Sequence, residues 1–195
     1  MILITGASSG IGEACARAFA KEKKDLFLVA RRLNRLECLA RELSQLYGVR
    51  VLTAAIDVCD REQIKALTKS HSSDFSEIDV LVNNAGLASG LDTFQEGNES
   101  DWDQMIATNI SGVLSFTQAV LPFFIKKNAG HIIMMGSVAA RWMYPKGNVY
   151  SASKAAIHAF AESLRLDLLG TKIRVTTVAP GMVETEFSQV RFKGD

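Results

Sequence analysis

Tyr150 and Lys154 stand four positions apart in "NVYSASKAAI", with only small residues between them on a stretch of helical character. Residues four apart share a helical face, so a phenol and an ammonium lie within mutual electrostatic reach. A phenol ionises near pH 10 and is a poor base at neutrality unless nearby cations favour its anion. Shifting it by about three units takes roughly 4 kcal/mol of differential stabilisation, and Lys154 is one cation placed to contribute. The pair is a candidate for moving a proton to or from a hydroxyl oxygen.

A second group of residues suits an anion. "TGASSGIG", residues 5–12, follows an apolar run and opens a helical stretch. In that context Gly6 permits a tight turn, Gly10 lets backbone approach a pyrophosphate, and Gly12 lets the helix pack closely on the sheet. The helix amino terminus offers N–H groups and partial positive charge, with Ser8, Ser9 and Ile11 completing the expected contacts. A strand-to-helix turn without a ligand is the plain alternative. A P-loop is excluded, because no Gly-Lys-Ser/Thr follows. The second apolar run ends "VARR", where a carboxylate would select NAD; Arg31 and Arg32 stand there instead, suited to a 2′-phosphate, and Asp25 sits at the wrong end to compete. NADP(H) is therefore the expected cofactor, against the alternative that both arginines are solvated charges at a helix entry.

The elements that must position these groups alternate. Apolar, β-branched runs near 1–5, 25–30, 49–56, 78–83, 130–136 and 172–178 predict strands. Helical periodicity is expected near 10–22, 33–47, 60–70, 101–126 and 149–169, with Pro122 bending or ending the fourth helix. Repeated βα units imply an α/β fold in three layers, a parallel sheet with helices on both faces. The 195 residues, 48% hydrophobic and 22% charged, are expected to form one domain.

Composition narrows the partners. A formal net charge of +1 without a basic stripe argues against nucleic acid and for a small-molecule partner. Uninterrupted apolar runs such as "LPFFI" fall short of the roughly 20 residues that cross a bilayer, so no membrane span is expected. The chain opens without the features of a signal peptide, and Cys15, Cys38 and Cys59 lack redox or metal spacing, which predicts reduced thiols in the cytoplasm. His71, His131 and His158 are isolated, and no metal site is expected.

Taken together, TGASSGIG, "NNAG" at 83–86, Asn109, Ser137 and Tyr150 with Lys154 resemble the short-chain dehydrogenase/reductase superfamily over essentially the whole chain. The resemblance implies a Rossmann-type doubly wound sheet that binds NAD(P), with Tyr150 as general acid or base and Ser137 holding the substrate oxygen. It further implies that Lys154 binds the nicotinamide ribose, and that Asn109 kinks its helix and holds a proton-relaying water. Asn83, Ala85 and Gly86 would let backbone approach the adenine side, and Asp57 with Val58 would contact adenine. For Asp57 the plain alternative is a helix cap. In "PGMVET", Pro180, Gly181, Val183 and Thr185 would cover the nicotinamide; Pro180 and Gly181 could equally be loop punctuation.

Finer features, "ARRLNRL", "NNAGLASGLD", "GNVYSASK" and "VETEFSQVRFKGD", resemble the NADP-dependent 3-hydroxy acid dehydrogenases that also oxidise serine and L-allo-threonine. A small hydroxy acid carries a carboxylate that suits a guanidinium clamp, for which Arg191 is the first candidate and Arg141 the second. The alternatives are a reductase of other ketones, sugars or 3-oxoacyl substrates, and a catalytically silent dinucleotide-binding protein. Against the family's pattern the chain is expected to lack a final helix and strand, leaving the sixth strand at an edge. The family also implies a homo-oligomer, a tetramer or a dimer.

Overall fold

Short leucine- and valine-rich runs can bury both faces only inside a covered parallel sheet. The computed structural model describes residues 1–191, apart from the side chains of 188–190, and sets six such runs in one sheet. The strands are β1 (Ile2–Thr5), β2 (Leu26–Ala30), β3 (Val51–Ala55), β4 (Val80–Asn83), β5 (Gly130–Met135) and β6 (Ile173–Val178). The helices are α1 (Gly10–Lys21), α2 (Leu33–Tyr47), α3 (Arg61–Ser70), α4 (Ser72–Glu77), α5 (Glu99–Ile106), α6 (Val113–Lys127), α7 (Asn148–Asp167) and α8 (Glu186–Arg191).

All pairings are parallel, in the order β3-β2-β1-β4-β5-β6, so β6 forms an edge. The chain moves outward from β1 through β2 to β3, then crosses to the other side of β1 to start β4. Where that direction reverses, between β1 and β4, a crevice lies beyond the carboxyl ends of the strands. The six-stranded sheet with helices on both sides is a Rossmann-type doubly wound fold.

Alternation along the strands divides the core in two. Leu3, Phe27, Val29 and Leu81 pack with Ile64, Phe75, Phe116, Phe124 and Ile157 from α3, α4, α6 and α7. Ile2, Ile4, Leu26 and Leu28 pack with Ala16 and Ala20 of α1 and Leu36 and Leu43 of α2. At the start of α1 the approach is so close that a Cβ on Gly12 would lie 2.3 Å from the Gly6 carbonyl oxygen.

Several expected boundaries shift. The helix predicted over 101–126 starts at Glu99 and is divided by a π-helical turn, Ala107–Gly112, before α6 runs on through Pro122 to Lys127. Pro122 does not end it, because Phe116, Thr117, Val120 and Phe124 hold the helix against the sheet on both sides of the proline, and burying such side chains offsets the roughly 3 kcal/mol that an interior proline costs. The third strand is trimmed to Val51–Ala55, and the short helices α4 and α8 were not foreseen. The helical run Glu99–Lys127 is also long and apolar enough to cross a membrane by length and composition alone. Its Val113, Phe116, Val120 and Phe124 are buried in the core of the sheet.

Phe75 is fully buried, with its ring 5.9 Å from Phe27 in an edge-to-face pair and 5.7 Å from Phe123. Phe75→Ala is expected to lower the unfolding free energy by about 3–5 kcal/mol in urea titration. Leu46→Ala, at a position 63% exposed, should stay within about 0.5 kcal/mol of the parent.

Candidate active site

The crevice at the switch point is a cleft of about 390 Å³ whose walls come from the loops after all six strands. Its floor is tied by one threonine and one asparagine. The Thr5 hydroxyl oxygen accepts from the N–H groups of Asn84 and Ala85, each at 3.0 Å, and Asn84 Nδ2 donates to the carbonyls of Thr5 at 3.0 Å and Gly6 at 3.2 Å. The two loops meet because Gly6 adopts φ +65° and carries no side chain; a Cβ there would lie 2.9 Å from Ala85 Cα. Of the "NNAG" residues, Asn84, Ala85 and Gly86 line the cleft. Asn83, expected at the cofactor, instead donates from Nδ2 to Thr117 Oγ1 at 2.9 Å inside the core.

The anion-suited end brings together Gly6, Ser8, Ser9, Gly10, Ile11, Arg31 and Arg32. Arg32 donates from Nε to Ser8 Oγ at 3.2 Å and from Nη2 to Ser9 Oγ at 2.7 Å. Ser9 is the residue before α1, yet its side chain makes no capping bond to that helix, so its oxygen serves the guanidinium rather than the first-turn N–H groups. Arg32 Nη1 also donates to Glu186 at 2.9 Å, and Arg35 Nη1 to the other oxygen of the same carboxylate at 2.6 Å. These two arginines hold the Glu186 carboxyl below its usual range, Arg35 more than Arg32. Asp57 and Val58 line the same end. Asp57 accepts from the N–H of Cys59 at 2.9 Å, and the cap of α3 is Asp60, which accepts from Glu62 and Gln63 at 3.0 Å.

At the other end Ser137, Tyr150 and Lys154 converge, with Pro180, Gly181, Val183 and Thr185 in the facing wall. Ser137 leaves β5 and accepts at Oγ from the N–H of Ala139 at 3.1 Å. Tyr150 lies in the first turn of α7, and Lys154 Nζ is 6.0 Å from its ring centroid. The lysine is 6% exposed and donates to the Met135 carbonyl at 2.9 Å; burial pushes its pKa down to about 8. Burial likewise raises the Tyr150 phenol, opposed by a hydrogen bond with Ser137 and the nearby Arg191 charge, while Tyr144 adds to the rise. Spacing predicts that the lysine acidifies the phenol; here desolvation outweighs it, and the ammonium turns toward a backbone carbonyl.

Asn109 is fully buried in the π-helical turn, behind the cleft wall rather than facing solvent. Its Oδ1 accepts from the Leu87 N–H at 2.8 Å, and its Nδ2 donates to the Leu87 carbonyl at 2.8 Å and to Ser153 Oγ at 3.0 Å. Ser153 donates in turn to the Tyr150 carbonyl at 2.8 Å. Asn109 thus links the loop after β4 to the turn of α7 that carries the phenol.

Arg191 lies over the rings of Tyr144, at 5.1 Å, and Tyr150, at 5.4 Å, and shares with Tyr150 a small recess beside the main cleft. Arg141 is exposed and directly follows the turn that Ser137 begins. Sequence reasoning missed Arg35, Tyr144, Glu186 and Phe187, the last with its ring 5.8 Å from that of Tyr150. The available signal was the "TEF" that continues the loop after β6, an acid and an aromatic following directly on Thr185.

Comparison with known proteins agrees with this geometry. The family model described as short chain dehydrogenase matches residues 1–195. The NADP-dependent 3-hydroxy acid dehydrogenase YdfG of Salmonella typhi is 47% identical over 196 residues, covering 100% of this chain and 77% of that protein. Sulfoacetaldehyde reductase 2 of Chromohalobacter salexigens is 49% identical, with the same coverage of 100% and 77%. Among solved structures, the closed form of serine dehydrogenase complexed with NADP+ superposes with a TM-score of 0.93 at 43% identity, covering 100% of this chain and 77% of that one.

The buried amine gives a stability test. Its folded pKa of about 8 lies below the ordinary 10.5, so between those values the unfolded chain binds more protons and stability rises with pH. The penalty is fully present below pH 8 and relieved toward pH 10.5, a gain of up to about 3 kcal/mol. Tyr150, Cys15 and Cys59, raised by burial, act in the opposite direction at alkaline pH, so the comparison is with Lys154→Met. Urea unfolding from pH 7.5 to 9.5 should show a more positive slope in the parent; equal slopes would refute the assignment.

Proposed function

The chain belongs to the short-chain dehydrogenase family, and on that footing we propose that it is an NADP-dependent oxidoreductase of small 3-hydroxy acids. Serine, L-allo-threonine, 3-hydroxyisobutyrate and the 3-hydroxypropionate/malonic semialdehyde pair make up the substrate class. The observation that carries this reading is the two-ended cleft, with an arginine held by Ser8 and Ser9 at one end and Ser137, Tyr150 and Lys154 at the other.

The donors present fit NADP. The turn at Gly6 leaves backbone in place of side chain beside the start of α1, which suits a pyrophosphate, and a guanidinium already ordered by two hydroxyls suits a phosphomonoester. When bound, the nicotinamide accepts or supplies hydride. Ser137 donates to the substrate oxygen and orients it, and Tyr150 takes the hydroxyl proton during oxidation or returns it during reduction. Lys154, with a pKa near 8, exchanges protons readily at mildly alkaline pH and holds a position fixed by the Met135 carbonyl. Phe187 shields the phenol from water on one side.

Arg191 is the proposed partner for the substrate carboxylate, supported by its place over the Tyr150 ring. The 49% identity to a sulfoacetaldehyde reductase gives a second reading, in which the same guanidinium meets a sulfonate. Other ketones and 3-oxoacyl compounds would leave that arginine unused, and a silent binding protein would leave Ser137, Tyr150 and Lys154 without a role. The proposal extends to one catalytic domain in a reduced, cytoplasmic setting, and to a dimer or tetramer formed in part through the helical run of α5 and α6 together with α7, where Ile106, Leu114, Ile125 and Leu166 are exposed.

Steady-state assays of serine, 3-hydroxyisobutyrate, malonic semialdehyde, sulfoacetaldehyde and a neutral ketone, each with both cofactors, test this. The 3-hydroxy acids should lead, and kcat/KM should favour NADP(H) over NAD(H) by about tenfold or more, the effect of one good charge-assisted contact. A lead for the neutral ketone would refute the substrate class, and a lead for NADH the cofactor. Tyr150→Phe should lower kcat by about 10² to 10⁴. Arg191→Ala should raise KM for the acids while sparing the ketone; an equal effect on both would remove Arg191 from the site.

A further inference from the structure

Glu186 already holds the guanidinium groups that a 2′-phosphate would need. One carboxylate oxygen accepts from Arg32 and the other from Arg35, at 2.9 and 2.6 Å, at the mouth of the cleft. The same Arg32 is fixed by the hydroxyls of Ser8 and Ser9, so the phosphate-suited donor set and the Glu186 partners are one group of atoms. We propose that Glu186 is an internal stand-in for the 2′-phosphate, and that its displacement from Arg32 and Arg35 sets the discrimination between phosphorylated and unphosphorylated dinucleotides. This rests on the NADP assignment above.

Charge decides the exchange. A phosphomonoester carries between about −1.5 and −2 at neutral pH, against −1 for the carboxylate, so the phosphate takes the guanidinium pair. The two anions also repel, and Glu186 cannot keep Arg32 once a phosphate bonds it. A dinucleotide without the phosphate leaves the carboxylate where it is. Displacement reaches the catalytic end as well, because Phe187, the next residue, packs 5.8 Å from the Tyr150 ring, and Arg191 at the end of the same short helix lies 5.4 Å from it.

The test is calorimetric binding of adenosine 2′,5′-bisphosphate and of 5′-AMP to the parent, Glu186→Gln and Glu184→Gln. Glu184 is exposed and removes the same charge two residues away. Loss of the internal competitor should tighten the bisphosphate about three- to tenfold in Glu186→Gln, the range expected when two exposed ion pairs no longer compete. In that variant 5′-AMP should shift by less than about twofold, and Glu184→Gln should shift neither ligand beyond the same limit. An unchanged Tm for Glu186→Gln establishes that the fold is intact. Bisphosphate binding that is unchanged or weaker in Glu186→Gln overturns the proposal, and so does equal tightening of both ligands. A parent that does not prefer the bisphosphate over 5′-AMP defeats the NADP assignment itself, a failure separable from a parent that prefers it and a variant that gains nothing.

Discussion

An ammonium taken out of water is the constraint on which the Ser137, Tyr150 and Lys154 end of the cleft depends. Lys154 is 6% exposed, and its hydrogen bond goes to the Met135 carbonyl, a neutral acceptor. A carboxylate at that place would stabilise the charge and hold the amine protonated far above neutrality; a carbonyl satisfies one N–H without doing so. The amine is therefore poised near pH 8, where either form is accessible at little cost. The same dryness raises the neighbouring phenol. Proximity of Tyr150 and Lys154 does not by itself make the phenol acidic, because desolvation acts on both members of the pair. What lowers the phenol is specific: the bond from Ser137 and the positive charge of Arg191.

Holding this arrangement falls to groups that never touch the cleft. Asn109 satisfies both sides of its amide, accepting from and donating to the backbone of Leu87 and donating to Ser153, so its complete burial costs little. The bond from Ser153 to the Tyr150 carbonyl carries that restraint to the phenol. The π-helical turn follows from the same demand. An extra residue in one turn rotates the side chains beyond it, and here the turn holds Asn109 inward while α6 keeps Phe116, Val120 and Phe124 on the sheet.

Most of the fold was legible because its signals are local. Strand runs, helical periods, the glycine loop and the Tyr150–Lys154 spacing each lie within a few residues, and the structure keeps their order. What was not legible depends on parity or distance. Two adjacent asparagines look alike in "NNAG", yet β4 ends at Asn83, so alternation sends that side chain to Thr117 and leaves Asn84 for the glycine loop. Asp57 reads as a helix cap only if the helix follows at once; α3 begins at Arg61, and its cap is Asp60. Asn109 reads as a mediocre residue inside a helix, since its partner Leu87 lies 22 positions away in a loop. Glu186 meets Arg32 across 154 positions. The direction of the phenol shift lay beyond spacing altogether, because it is a balance between burial and charge.

The division of labour along the sheet explains why one short segment carries so much. Loops after β1, β2 and β3 furnish the anion-suited end, and the loop after β5 with the start of α7 furnishes the end that holds Ser137, Tyr150 and Lys154. The segment after β6 is the part of the wall that reaches both. Thr185 stands so near Gly10 that a Cβ on the glycine would meet it at 3.2 Å, and Glu186 bonds the arginines of that end. Phe187 and Arg191 then face Tyr150. A helix of six residues is too short to hold itself by its own backbone bonds. The contacts that place this segment are therefore those it makes at each end of the cleft: Glu186 with Arg32 and Arg35 at one, Phe187 and Arg191 with Tyr150 at the other.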